Sequence, residues 1–323
     1  MKKILIIRLS SIGDIVLTSP IVRCLKNQTG ACIHYLVKPE FKQLLEYSPY
    51  IDKLHLLNKR LKSTIDEIKK ENFDYLIDLH NNIRTIIIKK SIKIKSFTYC
   101  KQSFRRFLHL NLSSKIKLNH VVNNYFLALN SLNVKNDNRG LDYFFSKERT
   151  DLDVESRYIC WSVGASHQNK MLSLETMIFI CNEIYLPIYL IGGKKETEMG
   201  KKIVLQTKNK HVENFCGKAD LNLSAKIIDK CSLLLTNDTG MMHIGAALKK
   251  KIISFWGCTK PSQGFRPYLD FPESVEIIYS PYSRPCSKHG KSCKNSVNGC
   301  VKKIKTDKIV KVIKKVLKSL NFH

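Results

Sequence analysis

The sequence predicts an α/β protein made of two doubly wound domains, each a parallel sheet covered by helices. Three observations predict it. Short β-branched apolar runs alternate with segments of helical spacing, the rhythm of parallel strands joined by crossover helices. That rhythm stops in a polar, charged stretch at 134–157 and then restarts. Finally, 323 residues with 43% hydrophobic side chains supply core material for two domains of ordinary size.

The elements follow in order. Residues 3–8 (KILIIR) are a short apolar run suited to a strand buried on both faces. A helical pattern runs through IVLTSPIVRCLK. Then come strand 31–37, helix 39–47, strand 53–57, helix 60–71, strand 74–79, helix 82–90 and strand 94–99. A helical stretch at 119–133 closes this half, and 134–157 is the expected linker. The second half reads strand 157–163, loop 164–172, helix 173–185, strand 187–191 and helix 194–208. Helix 221–230, strand 232–236, helix 240–249 and strand 251–256 follow. Last are loop 257–273, strand 275–279, a cysteine-containing loop at 280–301 and helix 306–320. The expected domains are 1–150 and 151–323. The final helix is expected to dock on the protein core, with the N-terminal domain as one option. In such a pair of domains the ligand cleft is expected at the carboxyl ends of the strands.

Charge narrows the partners. Lys and Arg number 55 against 27 Asp and Glu, a net charge of +28. Such a chain favours anionic surroundings: nucleic acid, an anionic lipid face or phosphorylated substrates. A general lysine bias spread over ordinary surface is the competing reading. No apolar run approaches the roughly 18 residues of a membrane span. The start resembles a secretory signal, but Arg8 and Asp14 interrupt its apolar region and no small-residue cleavage site follows. A cytoplasmic protein is expected, and an odd total of 11 cysteines in so long a chain does not suit a secreted disulfide framework.

Four loops carry chemistry. The first strand ends in Arg8-Leu9-Ser10-Ser11-Ile12-Gly13-Asp14, where Asp14 reads equally as a helix cap or a general base. Neither a dinucleotide fingerprint nor a Walker A loop is present. Strand 232–236 runs into Asn237-Asp238-Thr239-Gly240, then His243 one turn into a small-residue helix. Short polar residues and a glycine at a helix start expose backbone N–H groups to a phosphate. The loop Gly164 to Leu172 carries Lys170, a point charge suited to a diphosphate. At the end of strand 74–79, Asp78, His80 and Arg84 suit hydroxyl or phosphate recognition. In the last loop, Cys286, His289, Cys293 and Cys300 form a weak candidate structural metal site of three thiols and an imidazole; free or buried thiols are the stronger reading. Helix 306–320 has an apolar stripe with lysines elsewhere; it can lie on an anionic membrane, but docking on the core is favoured.

Taken together, these loops resemble the bacterial ADP-heptose:lipopolysaccharide heptosyltransferase family, glycosyltransferase family 9. The resemblance rests on Ser10-Ser11-Ile12-Gly13-Asp14, on Asp78 to Arg84 and on Gly164 to Leu172. It rests also on Asp238 to Ala247, on Phe255 to Pro261 and on Pro285-Cys286 to Cys300. It spans nearly the whole chain, and its specificity lies in the combination. Two positions depart from the pattern: Met171-Leu172-Ser173 stands where Trp-Pro is usual, and His80 where many members have Gln.

The resemblance implies a GT-B fold of two Rossmann-like domains facing a central cleft, acceptor on the first and nucleotide sugar on the second. It implies that Asp14 is the general base, within a loop shaped by Ser11 and Gly13. Those two, with Lys170, Asp238, Thr239, Gly240 and His243, form the implied donor-binding set. Asp78, His80 and Arg84 are candidates for the acceptor. The implied reaction is inverting, metal-independent transfer of a sugar from an ADP-heptose-type donor to a lipid-linked phosphorylated glycan, without a cofactor. Peripheral contact with the anionic inner membrane is expected, and nucleic acid is not. A nucleotide-sugar 2-epimerase of similar fold and a non-catalytic basic adaptor are the alternatives.

Overall fold

The computed structural model describes residues 1–112, 116–146, 157–269, 275–282 and 285–321. It divides into two units: Met1–Ser103 with Asn119–Ser146, and Phe104–Leu118 with Lys147–His323.

The first unit is a five-stranded parallel sheet. Its strands are β1 (Lys3–Ile7), β2 (Cys32–Val37), β3 (Lys53–Leu56), β4 (Tyr75–Asp78) and β5 (Lys95–Thr98), in the order β3-β2-β1-β4-β5. The chain winds outward from β1 to β3, then returns to the other side of β1 for β4. The direction of winding therefore reverses between β1 and β4, whose last residues pair as Ile7 with Asp78. One face buries Leu5, Ile7, Leu36 and Leu76 against Ile65 and Ile68 of α3 (Leu61–Lys69) and Ile88 of α4 (Ile83–Ile92). The single helix expected after β1 is two, α1 (Ile12–Val16) and α2 (Ser19–Thr29). Pro20 lacks the N–H that a continuing helix would need, but fits the first turn of a new one. Segment 39–47 tightens into a 3-10 turn over Pro39–Leu44.

The expected linker is anchored over its first half. Val134, Leu141 and Tyr143 are buried. Arg23 of α2, 1% exposed, donates to both carboxylate oxygens of Asp137 at 2.7 and 2.8 Å, to the Gly140 carbonyl at 3.0 Å and to Asp142. The rest of it, 147–156, lies outside the described residues.

The second unit is a six-stranded parallel sheet ordered β11-β10-β9-β6-β7-β8. Its strands are β6 (Ile159–Ser162), β7 (Ile188–Ile191), β8 (Val212–Asn214), β9 (Leu233–Asn237), β10 (Ile252–Trp256) and β11 (Val275–Tyr279). Here the winding reverses between β6 and β9. β8 has no counterpart in the sequence reading because it is three residues long with one buried side chain. Helix α5 (Ser103–Asn111) was also not expected. From Phe104 on, this segment groups with the second unit: His109 Nε2 lies 3.2 Å from Ser262 Oγ, and the Arg106 guanidinium sits 4.9 Å from the Phe265 ring centre.

The last helix (Thr306–Ser319) docks within this unit. Ile309, Ile313, Val316 and Leu317 join Ile180, Cys181 and Ile184 in one core, and Lys314 pairs with Glu183 at 2.9 Å. Its apolar stripe is thereby covered by protein. Among the described residues no helix is long and apolar enough to cross a membrane.

Arg23→Ala strands two carboxylates that are only partly exposed, so it should destabilise the protein by roughly 3 kcal/mol, read by urea unfolding. In the first sheet, His34 Nδ1 and His55 Nε2 lie 2.9 Å apart, both buried. Burial, then the His55 charge, pushes His34 down to about 4 from its ordinary 6.5. The unfolded chain therefore binds a proton between those values that the folded chain refuses. Stability is full above pH 6.5 and falls as pH drops toward 4; His34→Gln should flatten that fall in a thermal-melt series.

Candidate active site

Each sheet places its polar loops where the winding reverses, the position at which open parallel sheets bind ligands. In the first unit the loops after β1 and β4 meet there, and a buried guanidinium organises them. Arg8 extends the apolar run of β1 by one residue. Its Nε donates to the Ser10 carbonyl at 2.8 Å, Nη1 to the Leu79 carbonyl at 2.7 Å, and Nη2 pairs with Asp14 Oδ2 at 2.9 Å. Tyr125 lies beside it, with 6.0 Å from guanidinium to ring centre.

Asp14 sits in the first turn of α1, where Ser11 is the N-cap. Its Oδ2 accepts from Ser11 Oγ at 2.9 Å and more weakly from Ser11 N at 3.4 Å, besides Arg8. The side chain that bonds the N-cap is Asp14 itself, and every bond to it among the described residues falls on Oδ2. Oδ1 remains open, on a side chain 26% exposed. Burial pushes the carboxyl up, but the Arg8 charge and the Ser11 bonds outweigh it, so Asp14 stays below the usual carboxylate range. It is ionised at neutral pH and oriented, with one oxygen available to accept a proton. Gly13 is buried in the same short helix.

The Asp78 segment divides. Asp78 is wholly buried. Its Oδ1 accepts from the N–H groups of His80 at 3.0 Å and Asn81 at 2.7 Å, and Lys89 lies 3.0 Å from Oδ2. Asp78 therefore closes its own loop from within. His80 is half-buried; burial, then the Arg8 and Lys101 charges, pushes it down to about 4. It is therefore a neutral imidazole at neutral pH. Arg84, in the first turn of α4, is exposed.

In the second unit, the loops after β6, β9 and β10 converge on Asp238. Lys170, 9% exposed, donates to Asp238 Oδ2 at 2.6 Å and to the Asp238 carbonyl at 3.2 Å. Thr259 donates to the same Oδ2 at 2.7 Å. The Asn237 side chain ties this loop to the end of β6, donating to the Val163 and Gly164 carbonyls at 3.1 and 3.2 Å. Thr239 is the N-cap of α6 (Gly240–Ala247), but its hydroxyl lies 3.3 Å from Thr236 Oγ1 and does not cap the helix. The first-turn amides of α6 are therefore open to an anion, with the helix dipole behind them. His243 is buried one turn in. Lys170 has three donors, and Asp238 takes two, which leaves one for a ligand. Rather than a free cation, it is a charge already held in place.

The cysteine loop differs from expectation. Cys286, Cys293 and Cys300 come together, but the fourth member of the group is Cys258, from the loop after β10, and His289 stands outside it. Arg8, Asn237 and Thr259 went unrecognised as site residues. For Arg8 a signal was available: an ionic side chain ending an apolar strand has to find buried partners.

Comparisons with known proteins agree in direction. The family model described as glycosyltransferase family 9 (heptosyltransferase) matches residues 61–296. The chain is 27% identical over 291 residues to lipopolysaccharide heptosyltransferase 1 of Campylobacter coli, covering 80% of this chain and 84% of that protein. The crystal structure of a family 9 glycosyl transferase from Veillonella parvula superposes with a TM-score of 0.79 at 22% identity, over 98% of both chains. E. coli ADP-heptose LPS heptosyltransferase II superposes with a TM-score of 0.74 at 18% identity, over 100% of both chains. The fold is that of these GT-B enzymes.

Proposed function

The chain belongs to glycosyltransferase family 9 (heptosyltransferase), and from that premise we propose that it moves a heptose from an ADP-heptose donor to a lipopolysaccharide-core acceptor, with inversion and without a catalytic metal. Asp14 is the general base. The observation that carries this reading is its carboxylate geometry: Oδ2 anchored by Arg8 and Ser11, Oδ1 open. Oδ1 accepts the proton of the acceptor hydroxyl as that oxygen attacks the anomeric carbon. The bond from that carbon to the diphosphate oxygen breaks, and its electron pair leaves with ADP. A single displacement inverts the anomeric centre.

The charge that develops on the leaving diphosphate meets donors of the second unit: the α6 amides, the remaining Lys170 N–H and His243. Fixed dipoles and a held ammonium supply there what a divalent ion would otherwise supply. Thr239 and Gly240 keep the backbone within reach of phosphate, and Asp238 holds Lys170. Ser11 and Gly13 shape the Asp14 loop. His80, neutral, and Arg84, exposed, are offered to a phosphorylated acceptor. Helix α4 exposes Ile83, Ile86 and Ile87 beside Arg84; with the +28 charge this favours a cytoplasmic enzyme working at an anionic membrane face. The open base favours transfer over an epimerase or a purely electrostatic adaptor, neither of which needs an acceptor-directed carboxylate.

Asp14→Asn should fold and bind ADP normally, and lose transfer by roughly 10²–10⁴-fold; near-normal turnover would remove Asp14 from the role. Lys170→Ala should weaken ADP binding by calorimetry more than it alters the pH profile of transfer. Unchanged ADP affinity would overturn the phosphate assignment.

A further inference from the structure

Outside the reacting groups, the second unit holds a cluster that the reaction does not use. The sulfur atoms of Cys258, Cys286, Cys293 and Cys300 all lie within 4.8 Å of one another. Three of the separations are 3.8 Å (Cys286 to Cys293), 3.3 Å (Cys286 to Cys300) and 3.1 Å (Cys293 to Cys300). A regular tetrahedron with metal–sulfur bonds of about 2.3 Å has edges of about 3.8 Å. Four thiols, three of them buried, are thus gathered near the size of one tetrathiolate site.

The surroundings match such a centre. Asn295 Nδ2 donates to Cys286 Sγ at 3.3 Å and lies 3.6 Å from Cys300 Sγ, and the Cys300 N–H points at Cys258 Sγ at 3.5 Å. N–H···S bonds of this kind orient thiolate ligands and offset their charge. Lys260 is buried, within electrostatic reach of Cys258, Cys286 and Cys300. A metal with four thiolates carries net negative charge, and this ammonium opposes it.

We infer that Cys258, Cys286, Cys293 and Cys300 bind one thiolate-preferring transition-metal ion, zinc or iron, which braces the loops that hold Lys170 and Asp238. On binding, the thiols lose their protons to solvent and each sulfur gives an electron pair to the metal; nothing is oxidised or reduced. The brace acts along the chain and through packing. Cys258 adjoins Thr259, whose hydroxyl donates to Asp238. The loop between Cys286 and Cys300 lies against the Lys170 turn. Asn169 Nδ2 donates to the Lys291 carbonyl at 3.0 Å. A Cβ on Gly290 would meet Lys170 Cε at 2.7 Å, and one on Gly299 would meet Asn169 Cα at 2.7 Å. Both glycines also have positive φ, 77° and 87°. The effect on nucleotide binding rests on the donor reading above; the metal site does not.

The test uses the full chain, purified without chelator and analysed by elemental mass spectrometry. One equivalent of zinc or iron per chain is expected, and the element found identifies the metal. Stripping under reducing conditions should lower Tm and weaken ADP binding several-fold, and zinc chloride or ferrous salt should restore both. Cys258→Ser should abolish stoichiometric metal, whereas His289→Ala should retain it. Should the Cys258 variant not fold, Cys293→Ser, at the less buried ligand, reads the same loss. Protein that takes up no metal after reconstitution, whether its 11 thiols titrate free or pair as disulfides, overturns the site. Metal without any effect of stripping on ADP affinity overturns the brace. Metal with no ADP binding at all leaves the site standing and overturns the donor reading instead.

Discussion

A cation buried in protein has to be met by fixed oxygens, and each unit organises its polar loops around one such cation. In the first it is Arg8, which gathers the Ser10 and Leu79 carbonyls and the Asp14 carboxylate. In the second it is Lys170, held by the side chain and backbone of Asp238. Leaving either unpaired would cost several kcal/mol. The loops are therefore held in one arrangement before any ligand arrives. Pre-organisation of this kind lets a site stabilise developing charge without first reorganising.

Both cations stand at the reversal of winding in their sheets. The crossover rules leave the loops after β1 and β4, and after β6 and β9, without a covering helix between them. Strands without alternation, buried on both faces, carry these loops on rigid supports. The oxygen left open on Asp14 and the open amides of α6 are consequences: the same local bonds that finish each loop stop short of complete satisfaction.

Much of this was legible in residue pattern. The alternation of strand and helix survives in ten of the eleven described strands; β8, three residues long, is too short to leave a pattern. The residue pattern singles out Asp14, Lys170 and the Asp238 turn, and the structure joins Asp14 to Ser11 and Lys170 to Asp238. Asp78, the same residue type at the same kind of position as Asp14, is wholly buried and closes its own loop, a difference that residue type does not mark. The membrane option for the last helix failed for a related reason, since an amphipathic stripe does not say what covers it.

The sequence by itself determined what local chemistry decides: the parallel α/β class, the two-part rhythm and the polar turns that end the central strands. Tertiary structure decided which distant groups meet. It paired Arg8 with Asp14 across a loop, sent 104–118 to the second unit, bound Asp137 and Asp142 to Arg23, and replaced His289 with Cys258 in the thiol cluster. Cys258 lies far back in the chain from Cys286, so no spacing within the last loop points to it. Side-chain pairing across such separations depends on the sheet order that brings β10 beside its neighbours, and a linear pattern does not carry that order.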